Sequence, residues 1–319
     1  MRVPTPASAA ACSTIALCLL AGCASPPPPA SPAPPPKPWA EQGESLRRQG
    51  DRSLIRGDLT RAGEEYEAAR RMAESLDDTK GLIVALNDVG HVALRRGDVP
   101  RAVSSHERAV VLAQQLGEPG LLMASLTDLA TAQHQAGSLQ EAEGRYEEAL
   151  GLAEQRGDRS VEATLRNNLG LIRQAKGEVE QAAQLFRQAM ALNQAMGNPE
   201  SEASNHVNLG ILAEARHDYD TAEQEYERAL ELDKTAEQRM EIAADLLRLG
   251  KIADQRGFPD RGLAYSERAY QGYLAQDAFA EARSALSQAV ACAKKLKRAG
   301  DIARLEKELT RLTVLHPAQ

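Results

Sequence analysis

Few residues of this chain have types and spacings that could support catalysis. Cys292 lies in the alanine-rich stretch Ala289–Ala293, which favours a buried small residue over a reactive thiol. The six histidines form no HExxH motif and no pair at metal-ligand spacing. Glycines occur at predicted helix ends and not in a loop that could cradle phosphate. The sequence therefore predicts no catalytic site, no metal and no cofactor.

The clearest chemistry belongs to Cys23. An apolar stretch from Ala7 to Leu20 is too short for a membrane span and has the length of a signal-peptide core. The stretch ends in Leu20-Ala21-Gly22-Cys23, which resembles the bacterial lipobox, where the cysteine is diacylated and becomes the new first residue. We therefore predict a lipoprotein signal peptide at 1–22 and a lipidation site at Cys23. The alternative is an ordinary secretory signal with a chance cysteine.

A spacer follows the acylated cysteine. Nine of the 15 residues from Ala24 to Pro38 are proline, which favours a semi-rigid polyproline II segment of up to roughly 45 Å. We expect residues 23–38 to hold the remaining chain away from the lipid surface. Because Ala24 and not aspartate follows the cysteine, the resemblance to enterobacterial lipoproteins favours the outer membrane.

A repeat with a period of about 40 residues, within the range of stacked repeat arrays, dominates the rest of the sequence. Small residues, then large residues four positions later, then alanines three positions after those recur in one register: Ala62, Ala102, Ala142, Ala182, Ala222 and Gly262; Tyr66, His106, Tyr146, Phe186, Tyr226 and Ser266; Ala69, Ala109, Ala149, Ala189, Ala229 and Ala269. In such an array each unit buries its apolar face against its neighbours. His106 is interpreted as a packed histidine satisfied by one hydrogen bond.

Each repeat is predicted to contain two antiparallel helices. In residues 161–195, Leu165, Leu169 and Ile172 have helical spacing, and so do Ala182, Phe186 and Ala189. Gly177-Glu178 separates the two runs, and similar glycine junctions recur along the chain, followed by acidic or hydroxyl residues that can cap the next helix. The pattern predicts helices of roughly 15–18 residues joined by short turns.

The segments Asn168-Leu169-Gly170 and Asn208-Leu209-Gly210, each followed by the small-large-small pattern, resemble the tetratricopeptide repeat (TPR). The period is longer than the usual TPR period and is similar to that of the lengthened repeats of kinesin light chains. This resemblance implies an all-α solenoid, a right-handed superhelix of antiparallel helix pairs. We expect six repeats over 39–277 and an imperfect seventh repeat or cap over 278–319, whose second helix runs from Ile302 to Leu315.

The resemblance also implies that the first helices line a concave groove that binds protein segments. By register, the groove residues are Asp88, His91, Asp128, Thr131, Asn168, Leu171, Asn208, Ile211, Arg248 and Lys251. Asparagine before Leu-Gly holds a peptide backbone in lengthened repeats, which carries over to Asn168 and Asn208; the alternative is a bond to a neighbouring helix. The wall is expected to grade from acidic at Asp88 and Asp128 to basic at Arg248, Lys251, Lys294 and Lys295.

The expected function is that of a non-enzymatic scaffold, anchored by lipid to the outer membrane and facing the periplasm, that binds a partner of a cell-envelope assembly. The formal charge of −7, or −8 once Arg2 leaves with the signal peptide, lacks the basic clusters that nucleic acid requires. Two alternatives stay open: a self-associating structural envelope protein, and a pilotin-like assembly factor of a pilus or secretion machine. The sequence leaves the oligomeric state undetermined.

Overall fold

The computed structural model describes residues 38–316, with side chains described from residue 41 onward. The predictions for the signal peptide, for Cys23 and for the spacer up to Lys37 lie outside these residues. The described chain forms fourteen helices and no strand: α1 (Pro38–Ile55), α2 (Leu59–Ser75), α3 (Thr79–Arg95), α4 (Val99–Leu116), α5 (Pro119–Gln135), α6 (Leu139–Arg156), α7 (Arg159–Ala175), α8 (Val179–Met196), α9 (Pro199–Ala215), α10 (Tyr219–Thr235), α11 (Arg239–Gln255), α12 (Pro259–Leu274), α13 (Phe279–Lys295) and α14 (Ala299–Leu315).

The helices form seven consecutive pairs, each with a first helix of odd number and a second helix of even number. From α3 onward the first helices begin at one constant interval, which is the period of the sequence repeat, and the second helices from α2 onward begin at the same interval. Each helix packs mainly against the helix before it and the helix after it. This arrangement confirms the predicted all-α solenoid, and the helix lengths of 16–18 residues agree with the sequence pattern.

One backbone conformation recurs in every turn between consecutive helices. Each turn, from Gly57 to Lys297, contains one residue with positive φ, and eight of these residues are glycines. The other five are Asp77, His217, Glu237, Asp277 and Lys297, with φ between 53° and 60°. Side chains disfavour this left-handed conformation, so the turn geometry is imposed by the packing of the helices on either side.

Capping of the helices follows the predicted junctions only in part. The carboxylates of Asp58, Asp98 and Asp218 accept hydrogen bonds from backbone N–H groups three residues later. Ser138 and Glu178 occupy the same position but make no side-chain cap bond. An acidic or hydroxyl residue at these junctions can therefore cap the next helix, but these two helices begin without such a bond.

Close contact between a glycine and a ring joins the two helices of a pair. A Cβ placed on Gly170 of α7 would lie 2.5 Å from the ring of Phe186 in α8, and Gly210 stands in the same relation to Tyr226. Glycine therefore lets the ring lie directly on the backbone of the first helix, where both rings are completely buried. Burial of such a ring contributes about 1.5–3 kcal/mol to stability.

His106 occupies the ring position of its pair and is completely buried. Its Nδ1 lies 3.2 Å from Oδ1 of Asn87, which confirms a packed histidine with one hydrogen bond. The ring is not fully satisfied, because its Nε2 is buried without a hydrogen-bond partner among the described residues. Burial lowers the pKa of His106 to about 4, so the ring is neutral near pH 7. The thiol of Cys292 is also fully buried, as expected, and burial raises its pKa to about 11.

The last helix corrects one prediction. The sequence placed its start at Ile302, after Gly300-Asp301, but α14 begins at Ala299, in the register that the earlier second helices set. Lys297 has the positive φ that Gly257 provides one pair earlier, so the chain reverses at the same place without a glycine. Gly300 and Asp301 therefore lie inside the first turn of the helix.

A pair of buried carboxyl groups lies between α10 and α11. Asp245 is fully buried and Asp233 nearly so. Burial raises the pKa of Asp245 to about 7; Arg248, whose Nη1 lies 2.7 Å from Oδ1 of Asp245, opposes this rise, and the neighbouring charge of Asp233 adds to it. Burial also raises the pKa of Asp233. The two carboxyl groups can lie buried side by side because Asp245 carries a proton and donates a hydrogen bond to Asp233.

The strained turns predict a stabilising change. Replacing Glu237 and Lys297 with glycine should raise the free energy of unfolding by about 1 kcal/mol at each site, because glycine adopts positive φ without steric cost. Both side chains are exposed and no described residue forms an ion pair with them. Denaturant unfolding followed by circular dichroism measures the effect. The matched alanine variants should give no gain, and an equal gain with alanine would contradict the explanation.

The buried carboxyl pair predicts a pH-dependent stability. The folded state holds a proton on Asp245 that the unfolded chain releases near pH 4, so this stabilisation is present at low pH and is lost as pH rises through about 7. Asp245→Asn keeps the donor to Asp233 and removes the titration. The thermal midpoint of this variant minus that of the native protein should increase from about pH 4 to pH 8. The increase should be roughly 2–4 °C for each kcal/mol of stability that the native protein loses over this range. Hydrogen exchange should localise the change to α10 and α11, and a pH-independent difference would contradict the assignment.

Candidate partner-binding groove

The first helices lie on the inner side of the array. Direct contacts between alternate helices join α1 with α3, α3 with α5 and α11 with α13, all of which are first helices. Helices on the inside of a curved stack follow the shorter arc and therefore approach one another more closely than those on the outside. The wall formed by the first helices is the concave groove that the resemblance implied.

The predicted groove residues recur at the tenth and thirteenth positions of the first helices. Asp88 and His91 hold these positions in α3, and Arg248 and Lys251 hold them in α11. Because 13 is three positions beyond 10, the two side chains of each helix lie on the same face. Hydrogen bonds between side chains about one repeat apart then connect one first helix with the next, and they decide which groove residues are free.

At the end nearest α1, the acidic residues are already paired. Asp88 receives a hydrogen bond from Nε of Arg47, and Asp51 accepts one of 2.7 Å from the hydroxyl of Tyr66. Oδ1 of Asp128 lies 2.8 Å from Nε2 of His91. The sequence predicted an acidic wall at Asp88 and Asp128, but Arg47 and His91 pair with these two carboxylates, so fewer unpaired negative charges face the groove.

The titration of this end reflects the same contacts. Burial raises the pKa of Asp88, and the hydrogen bond and charge of Arg47 offset that rise only in part. Burial acts to lower the pKa of His91, but the hydrogen bond and charge of Asp128, with Asp88, outweigh it and raise the pKa. Since the His91 side chain is 46% exposed, a partner can still reach it. The His91–Asp128 pair is therefore the accessible polar feature of this end.

Thr131 is engaged in bonds inside the wall. Its hydroxyl lies 2.9 Å from the hydroxyl of Tyr146 and donates to the carbonyl oxygen of Thr127 at 2.9 Å. Tyr146 is the buried ring of its pair, so Thr131 links the groove surface to the core. The structure places Thr131 on the groove face, as predicted, but shows it in a packing role.

The middle of the groove is organised by Asn167, which the sequence analysis did not select. Oδ1 of Asn167 accepts one hydrogen bond of 2.8 Å from Nδ2 of Asn208 and another of 3.0 Å from Nδ2 of Asn205. Asn205 in turn accepts a bond of 2.8 Å from Asn193. Asn205 and Asn208 both follow Asn167 at close to one repeat, and this spacing is the signal that could have revealed a contact between successive repeats. Asn208 therefore takes the alternative role, a bond to a neighbouring helix.

Asn168 differs from Asn208 because its side-chain amide is free. It is half-buried, and no residue among 41–316 forms a hydrogen bond with it. Its amide can therefore offer a donor and an acceptor to a guest backbone. The two half-buried apolar residues Leu171 and Ile211 flank this stretch of the wall.

Of the four basic residues predicted for the other end of the groove, one has no ion-pair partner among the described residues. Arg248 is paired with Asp245, Lys294 with Glu306 at 2.7 Å, and Lys295 with Asp254 at 2.7 Å. Lys251 is exposed and has no ion-pair partner among the described residues. The predicted gradient thus reduces to the His91–Asp128 pair at one end, the Asn168 amide in the middle and the Lys251 ammonium at the other end.

No group of three or more histidine, cysteine, aspartate or glutamate side chains within 38–316 is arranged to hold a metal ion. None of the helices in that range is both long enough and apolar enough to cross a membrane.

The fold and the groove can be compared with known proteins. A family model described as the tetratricopeptide repeat matches residues 81–155 and 160–235. No curated protein matches the chain. Among solved structures, BtubC (BKLC) from P. vanneervenii is 23% identical with a TM-score of 0.56, over 76% of this chain and 93% of that chain.

Two other solved structures share the fold. The nearly identical TPR-like repeats of a putative kinesin light chain from Podosopora anserina are 19% identical with a TM-score of 0.53, over 62% of this chain and 97% of that one. The Rap conjugation gene regulator of the plasmid pLS20, solved in complex with the Phr* peptide, is 16% identical with a TM-score of 0.57, over 88% of this chain and 78% of that one. Residues 81–155 and 160–235 therefore match the tetratricopeptide repeat, and the described α-solenoid has a fold similar to that of kinesin-light-chain-like repeat proteins.

Proposed function

We propose that this protein is a lipid-anchored adaptor that binds an extended or helical segment of a protein partner in its concave groove. The observation that carries the proposal is the pattern of free and satisfied groups along the wall. Asn168 and Lys251 are free while their neighbours are held in a hydrogen-bonded network. A surface that is held in place before binding loses little conformational entropy when a partner arrives.

The chemistry of the wall indicates what kind of segment fits. The amide of Asn168 can accept a backbone N–H and donate to a backbone carbonyl of the guest, whatever its side chains. Leu171 and Ile211 offer apolar contact beside it, and Lys251 selects for a carboxylate two pairs further along. The expected guest is a polypeptide segment with apolar side chains in its middle and an acidic residue towards the α11 end.

A similar fold supports binding of this kind. The Rap regulator of plasmid pLS20 was solved with a peptide, and its fold is similar to this chain over most of the length of both. Tetratricopeptide repeats are in general protein-interaction scaffolds without catalytic activity. We extend both properties to this protein as part of the proposal.

The membrane anchor is proposed from the sequence. Acyl chains on Cys23 would hold the protein on a bilayer, because two or more chains bind stably where one binds only marginally. The proline-rich spacer from Ala24 to Pro38 would then hold the solenoid away from the lipid. Ala24 favours the outer membrane, so the proposed partner belongs to an assembly of the cell envelope facing the periplasm.

The groove is tested with a variant that removes both free groups. Gln174 lies three residues beyond Leu171 on the same face of α7. A photoreactive amino acid at this position in intact cells first identifies the partner in contact with the groove. Asn168→Ala with Lys251→Ala should then weaken the affinity of the purified partner by at least roughly tenfold, because each lost polar contact costs about 1 kcal/mol or more. Gln184→Ala, on the exposed face of α8, is the matched control. Equal affinity of the double variant and the control would refute binding in the concave groove.

The anchor has a separate test. Cys23→Ser should abolish incorporation of labelled palmitate, because the thiol that would carry the acyl chain is lost. Ser25→Ala, two residues later, should leave palmitate incorporation unchanged. A Cys23→Ser protein that still incorporates palmitate would contradict the lipid anchor at Cys23 without affecting the groove.

A further inference from the structure

A second set of grooves runs along the edge of the array, away from the concave wall. We call each of them an edge groove: the gap between the first half of a second helix and the turn that joins the two helices of the following pair. In four of these gaps, a cationic residue at the first position of the turn reaches across to the second helix. These cations are Arg96, Lys176, Arg216 and Arg256.

Each of these cations binds the preceding second helix. Nη2 of Arg96 donates to the carbonyl oxygen of Leu59 at 2.5 Å, and Arg216 lies 2.6 Å from Glu180. Arg256 pairs with Asp220 and with Glu223. The edge groove that Arg96 lines has a volume of only about 40 Å³. A cation supplied by the chain itself therefore fills this space.

The edge groove between α6 and the turn after α7 shows the filled arrangement most fully. Arg173 and Lys176 both pair with Glu143, a carboxylate that is 5% exposed. Arg173 also reaches Glu178 at 2.6 Å and Glu147 at 3.9 Å. Two cations, one near the end of α7 and one in the turn that follows it, thus neutralise the carboxylates of α6 at this boundary.

One pair earlier, the same groove lacks both cations. Gln133 stands in place of Arg173, and Ala136 stands in place of Lys176. The gap between α4 and the turn after α5 is correspondingly open, with a volume of about 730 Å³. Val103 replaces Glu143, but Glu107 retains the carboxylate that Glu147 provides in the filled groove. The open groove therefore has an acidic residue at its rim but none of the basic side chains that occupy the filled groove.

The lining of the open groove fits a basic side chain. Its floor is made by Val99, Pro100 and Val103, against which the aliphatic part of an arginine can pack. Glu107 and Glu141 at the rim are accessible from solvent, and neither forms an ion pair with any residue from 41 to 316.

A buried acceptor points to the same guest. Gln133 lines the groove and is only 9% exposed, and its Oε1 is buried without a hydrogen-bond donor among the described residues. An unsatisfied buried acceptor is costly, so a donor brought by a guest would be bound favourably. Arg101 of the same α4 cannot supply it, since it is paired with Glu67 of the preceding pair at 2.8 Å.

We propose that this open edge groove binds an arginine or lysine side chain of a protein partner, flanked by apolar residues, in the position that Arg173 and Lys176 occupy one pair later. The guanidinium or ammonium group pairs with Glu107 and Glu141 and donates to Gln133. The side-chain stem lies on Val99 and Val103. This surface is separate from the concave groove, so a partner can bind it while a segment occupies that groove.

The probes are two blocked tripeptides, acetyl-Leu-Arg-Leu-amide and acetyl-Leu-Glu-Leu-amide, titrated into the full-length protein in detergent. The readout is the side-chain amide resonance of Gln133 in heteronuclear NMR spectra. The arginine peptide should shift this resonance saturably, and the glutamate peptide should not. Ala136→Lys with Val103→Glu rebuilds the internal ion pair of the filled groove and should weaken binding at least roughly tenfold. Glu107→Gln with Glu141→Gln changes only rim residues and should weaken binding in the same direction.

A reciprocal variant provides the matched control. Arg173→Gln with Lys176→Ala opens the filled groove and should create a second site for the arginine peptide, near Glu143 and Glu147. Asn168→Ala, on the concave wall, should leave peptide binding unchanged, so failure here is distinguishable from failure of the proposed function. The proposal is overturned if the arginine peptide causes no shift at about 10 mM, or if the self-filling variant binds it as well as the native protein.

Discussion

The contact on which the array depends is the ring of a second helix lying on a glycine of its first helix. Gly170 with Phe186 and Gly210 with Tyr226 bring the two backbones closer than any side chain at the glycine position would allow. Once the helices are this close, the connection between them must reverse within a very short turn. A left-handed residue recurs in every described turn, within pairs and between them, and five non-glycine residues accept that conformation because the packing outweighs their local preference.

The fold was largely predictable because the period, the small-large-small pattern and the glycine junctions all express this one contact. The prediction of the turns failed where a residue other than glycine adopts the left-handed conformation. Lys297 makes the last turn without glycine, so the next glycine, Gly300, was mistaken for the end of the turn and the start of α14 was placed too late. Propensity identifies turns that the sequence favours locally, whereas tertiary packing also creates turns that it does not.

The groove was predictable in position and much less so in chemistry. The register placed Asp88, Asp128, Asn168 and Lys251 on the first helices, since it follows from helical periodicity alone. Whether each is free depends on partners in the adjacent repeat, such as Arg47 for Asp88 and Asn167 for Asn208, and on the spacing between adjacent first helices. One-dimensional periodicity contains no information on that spacing, so the acidic wall was predicted where the structure has neutralised pairs.

The missing cation at Ala136 also bears on how neighbouring pairs are held together. At four other boundaries an edge cation ties a pair to the one before, and salt weakens the exposed ties among them by screening. Between the second pair and the third, the inner side is fastened by the His91–Asp128 and Asn87–Ser125 contacts, while the edge at Ala136 lacks a cationic tie among the residues that the structure describes. At this joint the two pairs are therefore held by the packing of α4 against α5 and by the contacts on the groove side. Salt acts on it through the partly exposed His91–Asp128 pair instead of through an edge cation.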